Sequence, residues 1–276
     1  MDCKVQAHTF FLEQSHRLSV GMVNKVLLSK VTRTAKRRGW HLKPVEEVMG
    51  SMFDRFFGGI FRTDGQSFVI PSEGTSKQFR GRFLLGSHEW NERKLVQNYM
   101  PREAKVLELG GGLGVVSCFV NRRLSNPKNH VVVEPDPRSL AALKQNRIRN
   151  KAEFHIAYGV ISRHKEAPFF LFPTSCGSSS RPKPRTRKTV VPGLRIDALQ
   201  KQYSITFDTF IIDIEGAELV LVRQNRQWFK RVNLVIMEVH PDRLSSEKLE
   251  KLRELLIGCG LNLTKAVFEV EVWQRR

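Results

Sequence analysis

From residue 104 onward, apolar positions fall into alternating short runs and helical stripes. The stretch AKVLELG is an apolar run closed by glycines, and Val115 to Arg123 reads as a helix. HVVVEP predicts a second strand, followed by a long helix from about Ser139 to Arg149. Residues 153–161 and 168–172 predict two more strands. Residues 173–193 are rich in Ser, Pro, Gly and basic side chains, with no core-forming residue before Val190, and predict a long exposed loop. FDTFIIDIEG predicts a strand entering a turn, with a helix across Glu218 to Lys230. VNLVIMEVHP repeats that unit, with a helix across Ser246 to Leu256, and two short strands follow, Asn262 to Lys265 and Ala266 to Trp273. Strands alternating with helices imply a mostly parallel sheet covered on both faces.

The first hundred residues lack this rhythm. Residues 16–38 set Leu18, Met22, Val26, Leu27 and Val31 at helical spacing among Lys25, Lys30, Arg33, Lys36, Arg37 and Arg38. That predicts an amphipathic helix, either packed on the domain through its apolar face or laid on an anionic surface. Within FDRFFGGIF, Phe53, Phe56, Phe57 and Ile60 share one helical stripe, and Gly58-Gly59 would permit bending. The reading is therefore a basic helical or lid extension over 1–100 and an α/β domain over 101–276.

The 276 residues suit one large domain with such an extension, at about 100–200 residues per domain. An apolar share of 41% is enough for a core and argues against wholesale disorder. No apolar run approaches the ~18 residues of a membrane span. The N-terminus does not read as a signal or transit peptide. Four scattered cysteines without a CxxC pair suit a reducing, cytoplasmic setting. The formal charge of +19 invites a nucleic-acid reading, but its distribution matters more. Residues 1–100 hold 16 basic and 9 acidic side chains, residues 101–200 hold 18 and 7, and residues 201–276 hold 12 and 11. The surplus belongs to the first two thirds of the chain.

Candidate chemistry begins at Glu108-Leu-Gly110-Gly-Gly112-Leu-Gly114, between a strand and a helix. Glycines there let the backbone turn tightly and approach a ligand closely. Glu134 lies 20 residues after Gly114 at the end of the next strand, where a carboxylate can accept hydrogen bonds from both ribose hydroxyls of a nucleoside. The dinucleotide fingerprint fails, because its last glycine would fall on Val115. An acid at Glu108 would repel a diphosphate and welcome an ammonium, which favours S-adenosylmethionine (SAM) over a nicotinamide dinucleotide.

A second group gathers at later strand ends. Period-2 geometry puts Asp213 and Glu215 on one face, and Glu238 and His240, closing the following strand, also share a face. Strand carboxyl ends line the ligand crevice of an open α/β sheet. Asp213 and His240 are the best-placed general bases, whereas Glu218 reads first as a helix-dipole partner. Asp213, Glu215 and His240 offer a divalent ion oxygen and nitrogen ligands, although no spacing motif requires a metal.

The segments VLELGGGLGVVS (106–117), VVEPDPRSLAALKQN (132–146), AYGVIS (157–162), serines 178–180, RIDAL (195–199), IIDIEGAE (211–218) and IMEVHP (236–241) together resemble the FkbM family of SAM-dependent methyltransferases. DIEGAE is the most specific of them. Two departures are Glu108, where the family usually has Asp, and Ile212, where a Lys is common. The resemblance implies a class I methyltransferase (Rossmann-like), mostly parallel seven-stranded sheet with helices on both faces. It implies SAM held by Glu108, Gly110, Gly112, Gly114, Glu134 and Asp213, with Asp213, His240 and Glu215 catalytic. It further implies O-methylation of a hydroxyl on a sugar, glycan or other small natural product. Residues 181–188 (RPKPRTRK) form a basic run that is either a solvated loop or an attractor for an anionic acceptor. RNA methylation is the charge-based alternative, weakened because this loop lacks stacking aromatics. A non-catalytic binding protein on the same fold is the other alternative.

Overall fold

The computed structural model describes residues 43–85, 88–174, 178–180 and 185–275. The helix expected over 16–38 and residues 181–184 of the basic run lie outside the described residues. The chain divides into two compact units. One comprises Lys77–His88 with the described part of Met1–Arg55, the other Phe56–Ser76 with Glu89–Arg276.

In the first unit, helix α1 (Lys43–Phe57) meets α2 (Lys77–Leu84) at closely apposed backbones. A Cβ on Gly50 would strike the Lys77 carbonyl, and one on Gly81 the Glu46 carbonyl. Phe53 stacks on Phe83 with ring centroids 6.3 Å apart, and Arg80 bonds both carboxylate oxygens of Asp54 at 2.7 Å. The apolar stripe expected to continue to Ile60 stops at Phe57. Gly58 and Gly59 both take positive φ, and Ile60 begins a strand.

That strand opens the second unit. β1 (Ile60–Thr63) and β2 (Gln66–Val69) form an antiparallel hairpin around Asp64-Gly65, with both turn residues at positive φ. Asp-Gly between short apolar-alternating runs is a strong hairpin signal that sequence reading passed over. Helix α3 (Trp90–Tyr99) follows. The central sheet then begins with β3 (Val106–Leu109), α4 (Val115–Arg123), β4 (His130–Glu134), α5 (Pro137–Arg149) and β5 (His155–Tyr158). Gly159, at φ 144°, breaks the single strand expected over 153–161 and starts β6 (Val160–Ile161).

β6 belongs to a separate three-stranded sheet with β7 (Glu166–Leu171) and β8 (Arg187–Leu194), in the order β6-β8-β7. The exposed loop expected over 173–193 is thus shorter at its C-terminal end. Residues 187–192 pair antiparallel with β7, for example Phe169 with Thr189, and Gly193 pairs parallel with Val160 of β6. Pattern reading failed there because only Val191 of β8 is fully buried.

Helix α6 (Ile196–Tyr203), β9 (Thr209–Ile212), α7 (Glu218–Gln224), α8 (Arg226–Phe229), β10 (Leu234–Glu238), α9 (Ser246–Ile257), β11 (Leu261–Val267) and β12 (Val270–Arg275) complete the chain. The helix expected across 218–230 is broken at Asn225, whose side-chain amide bonds the Leu221 carbonyl. The seven-stranded sheet has the order β11-β12-β10-β9-β3-β4-β5. Pairs among β10, β9, β3, β4 and β5 are parallel, and β12 runs antiparallel to β10 and β11. This is the expected class I methyltransferase sheet. β3, β4 and β9 are buried along their whole length, as strands covered on both faces must be.

The hairpin is fastened to α5 by two asparagines one helical turn apart. Asn146 Oδ1 accepts from Val69 N at 2.7 Å, and its Nδ2 donates to Val69 O and Leu113 O. Asn150 Oδ1 accepts from Ser67 N at 2.9 Å and Nδ2 donates to Ser67 O. Two side-chain amides thereby stand in for a neighbouring strand. Among the described residues, no helix is long and apolar enough to cross a membrane.

Candidate active site

From β3 the chain proceeds to β4 and β5 on one side, then returns to place β9 on the other. That reversal opens a crevice at the carboxyl ends of β3 and β9. Gly110 sits in it at φ 92°, and a Cβ there would fall on the Asp213 carbonyl. Asp213 N donates to Leu109 O at 2.9 Å, so the glycine loop and the acidic turn are joined by backbone. Gly112, at φ 51°, has nothing within 4 Å of a built Cβ and faces open space.

Glu134 anchors this loop. Its Oε2 accepts from Gly112 N and its Oε1 from Asp136 N, both at 2.7 Å. Burial raises its pKa to about 8 even though both backbone donors favour the anion. Glu108 is only 2% exposed; Ser117 Oγ donates to its Oε1 at 2.6 Å, and His130 Nε2 lies 2.9 Å from its Oε2. Both Glu108 oxygens are therefore engaged within the protein. Gly114 N-caps α4 in the left-handed conformation, and Leu143 crowds its Cβ position.

A further element missed by sequence reading extends this end. Asp136 N-caps α5 by accepting from Arg138 N at 2.9 Å, and also takes the Arg138 guanidinium at 2.7 Å and Ser178 Oγ at 2.9 Å. Arg138 reaches on to the Phe172 carbonyl at 2.9 Å. Ser179 Oγ donates to the Glu215 carbonyl at 2.9 Å, so the two serines tie this segment to both sides of the crevice.

The acidic turn departs from the geometry expected of it. β9 ends at Ile212, and Glu215 and Gly216 adopt positive φ of 58° and 96°, so Asp213 and Glu215 do not alternate as in a strand. Glu215 Oε2 instead pairs with Arg243 Nη1. Ile212, the position at which the resemblance would put a Lys, is buried in the core. Glu218 is fully buried and does more than favour a helix N-terminus. Its Oε1 accepts from Gly216 N and lies 2.9 Å from His240 Nδ1. That contact turns His240 Nε2 toward Asp213 Oδ1 at 3.5 Å and Glu215 Oε2 at 3.7 Å.

Asp213, Glu238 and His240 each present a donor atom within 4.8 Å of the others. Burial, then the charges of Asp213, Glu92 and Glu89, push Glu238 up to about 10. Desolvation also raises Asp213, against the opposing pull of His240. Desolvation works against a charged His240, but the Glu218 hydrogen bond and the Asp213 charge outweigh it and raise its pKa.

A seven-stranded sheet of this order, with a glycine loop at the switch point and a carboxylate at the end of the second strand, defines a class I SAM-dependent methyltransferase. Residues 108–263, more than half of the chain, match the family model described as the methyltransferase FkbM domain. The chain belongs to the FkbM methyltransferase family. Among solved structures it is similar to a methyltransferase from Pyrococcus furiosus, with 12% identity and a TM-score of 0.43, covering 85% of this chain and 99% of that one. It is also similar to Aeropyrum pernix fibrillarin in complex with SAM, with 13% identity and a TM-score of 0.41, covering 78% and 81%. No curated protein matches the chain.

Proposed function

We propose that the protein transfers the methyl group of SAM to a hydroxyl of a sugar, glycan or other small natural product. Asp213 carries this reading. It stands at the switch point against the glycine loop, its Oδ1 has no hydrogen-bond partner, and desolvation raises its pKa above the ordinary carboxylate value, which favours proton acceptance.

In this reading Glu134 receives the ribose hydroxyls while Gly110, Gly112 and Gly114 leave room for the cofactor. Glu108 acts from beneath the amino-acid end, holding the loop through Ser117 and His130. A lone pair of the acceptor oxygen attacks the methyl carbon in line with the C–S bond. The C–O bond forms, the C–S bond breaks, and sulfur keeps the electron pair as a neutral thioether. The acceptor proton passes to Asp213. His240, oriented by Glu218, stabilises the carboxylate that receives it, and the Glu215–Arg243 pair holds the turn. A concentration of carboxylates around the reacting centre disfavours a phosphate there, which supports a neutral hydroxyl over an RNA backbone. Any anionic part of an acceptor would lie farther out.

The experiment is calorimetric titration with SAM, followed by mass spectrometry of acceptor libraries incubated with methyl-labelled SAM. Label on a hydroxyl oxygen of a small molecule is expected. Label confined to nitrogen or to RNA would overturn the acceptor assignment, and absence of SAM binding would overturn the whole reading.

A further inference from the structure

We propose that Asp213, Glu238 and His240 form a site for one divalent first-row cation at the methyl-transfer centre. Its purpose rests on the O-methylation reading, whereas the site stands on its own geometry. One carboxylate oxygen from each acid and one imidazole nitrogen lie within 4.8 Å of one another. Donors about 2.1 Å from a shared ion stand at most ~4.2 Å apart, so the cluster needs to contract by less than ~1 Å.

His240 is the second observation. It is 8% exposed, and a fully buried Glu218 holds its Nδ1 at 2.9 Å. Glu218 is itself fixed by Gly216 N. Nε2 makes no hydrogen bond and points into the cluster, 3.5 Å from Asp213 Oδ1. A carboxylate that fixes one imidazole nitrogen and directs the other inward is the usual support of a metal-binding histidine. Asp213 Oδ1 likewise lacks a hydrogen-bond partner. Neither Asp213 nor Glu238 forms an ion pair with a lysine or arginine among the described residues, because the neighbouring Arg243 is engaged by Glu215 and Asp242.

Two oxygens and one nitrogen suit an ion that accepts both donor types, and Mn²⁺ does so better than Ca²⁺. The Asp213 side chain is 41% exposed, which leaves coordination positions open toward the crevice. An acceptor hydroxyl entering there would be polarised and would pass its proton more readily to the Asp213 oxygen that does not face the ion.

The test is titration of the full-length protein with Mn²⁺ alone, followed by loss of the free-ion electron paramagnetic resonance spectrum, with SAM binding measured in parallel. One ion per chain is expected. Glu218→Gln should weaken it by about 10–100-fold, the usual effect of removing a ligand's support. Asp213→Asn, Glu238→Gln and His240→Gln should each weaken it at least as much, with cooperative thermal unfolding verifying that each variant folds. Persistence of the free spectrum with wild type, or equal binding by wild type and folded Asp213→Asn, overturns the site. SAM binding without Mn²⁺ binding overturns the cation site and leaves the methyltransferase reading intact. Mn²⁺ binding without SAM binding supports the site and overturns that reading.

Discussion

The two halves of the crevice are built on opposite principles. At the ends of β3 and β4, both oxygens of Glu108 and both of Glu134 have partners inside the protein. At the ends of β9 and β10, Asp213 Oδ1 and Glu218 Oε2 have none, and Glu238 is pushed up to about 10. Buried polar groups are normally paired, and each exception calls for a cause. The carboxylates of the first half are thus held by the protein's own hydrogen bonds. The second is a cluster of acids in which buried oxygens go unpaired and Glu238 is held protonated.

The largest expected effect tests the second half. Asp213→Asn removes the proposed base while keeping its shape, and turnover should fall by about 10²–10⁴-fold. SAM affinity measured by calorimetry should change far less, which separates chemistry from binding. Equal losses in both would erase the contrast between the halves.

Next comes the first half. Gly112 faces open space at positive φ, so Gly112→Arg should fill the room proposed for the cofactor and strain the loop. SAM affinity should fall by at least ~100-fold, equivalent to roughly 2.7 kcal/mol. Near-normal affinity would move the cofactor elsewhere.

Glu134 gives a smaller effect with a defined sign. Its folded pKa of about 8 lies above the ordinary carboxylate value of 4.5. Its contribution to stability is therefore complete below that ordinary value and is lost as pH rises through about 8. SAM affinity should move the other way, because the ribose hydroxyls donate best to the anion. Between pH 6.5 and 9 the ligand-free melting temperature should fall while affinity rises, and Glu134→Gln should flatten both trends.

The smallest effect lies behind the first half. Asn146→Ala leaves Val69 N, Val69 O and Leu113 O without their side-chain partners. Denaturant unfolding should show a loss of about 1–3 kcal/mol, since an unsatisfied buried group costs that much. SAM affinity should weaken only modestly.

Sequence reading recovered the central sheet because its inner strands are short, largely apolar runs and its glycines and acids mark their ends. VLEL, HVVVE and TFII are buried at every position, which leaves little ambiguity. It missed the β1–β2 hairpin, whose signal was the short Asp64-Gly65 turn. It also misjudged β8, where Pro192 and the basic Arg187 and Lys188 conceal a strand buried mainly at Val191. At the site, Glu108, Glu134, Asp213 and His240 were legible as charges at strand ends. The positive φ of Glu215 was not, and it replaces the expected alternation with Asp213 by a turn. Nor was the link from Glu218 to His240, since a buried acid in a first helical turn reads equally well as a dipole partner.

The paired amides of Asn146 and Asn150 also have a metric consequence. Four residues of helix advance about 6 Å and two residues of strand about 6.6 Å, so the two repeats are nearly commensurate over this one interval. The helix can therefore gauge the hairpin: only every second residue of β2 meets an amide, and a slip by one would present outward-facing groups to both. Lengthening the Asp64-Gly65 turn leaves that match untouched. Deleting the single residue between Ser67 and Val69 destroys it, and through Asn146 and Leu113 the misfit would reach the glycine loop after β3.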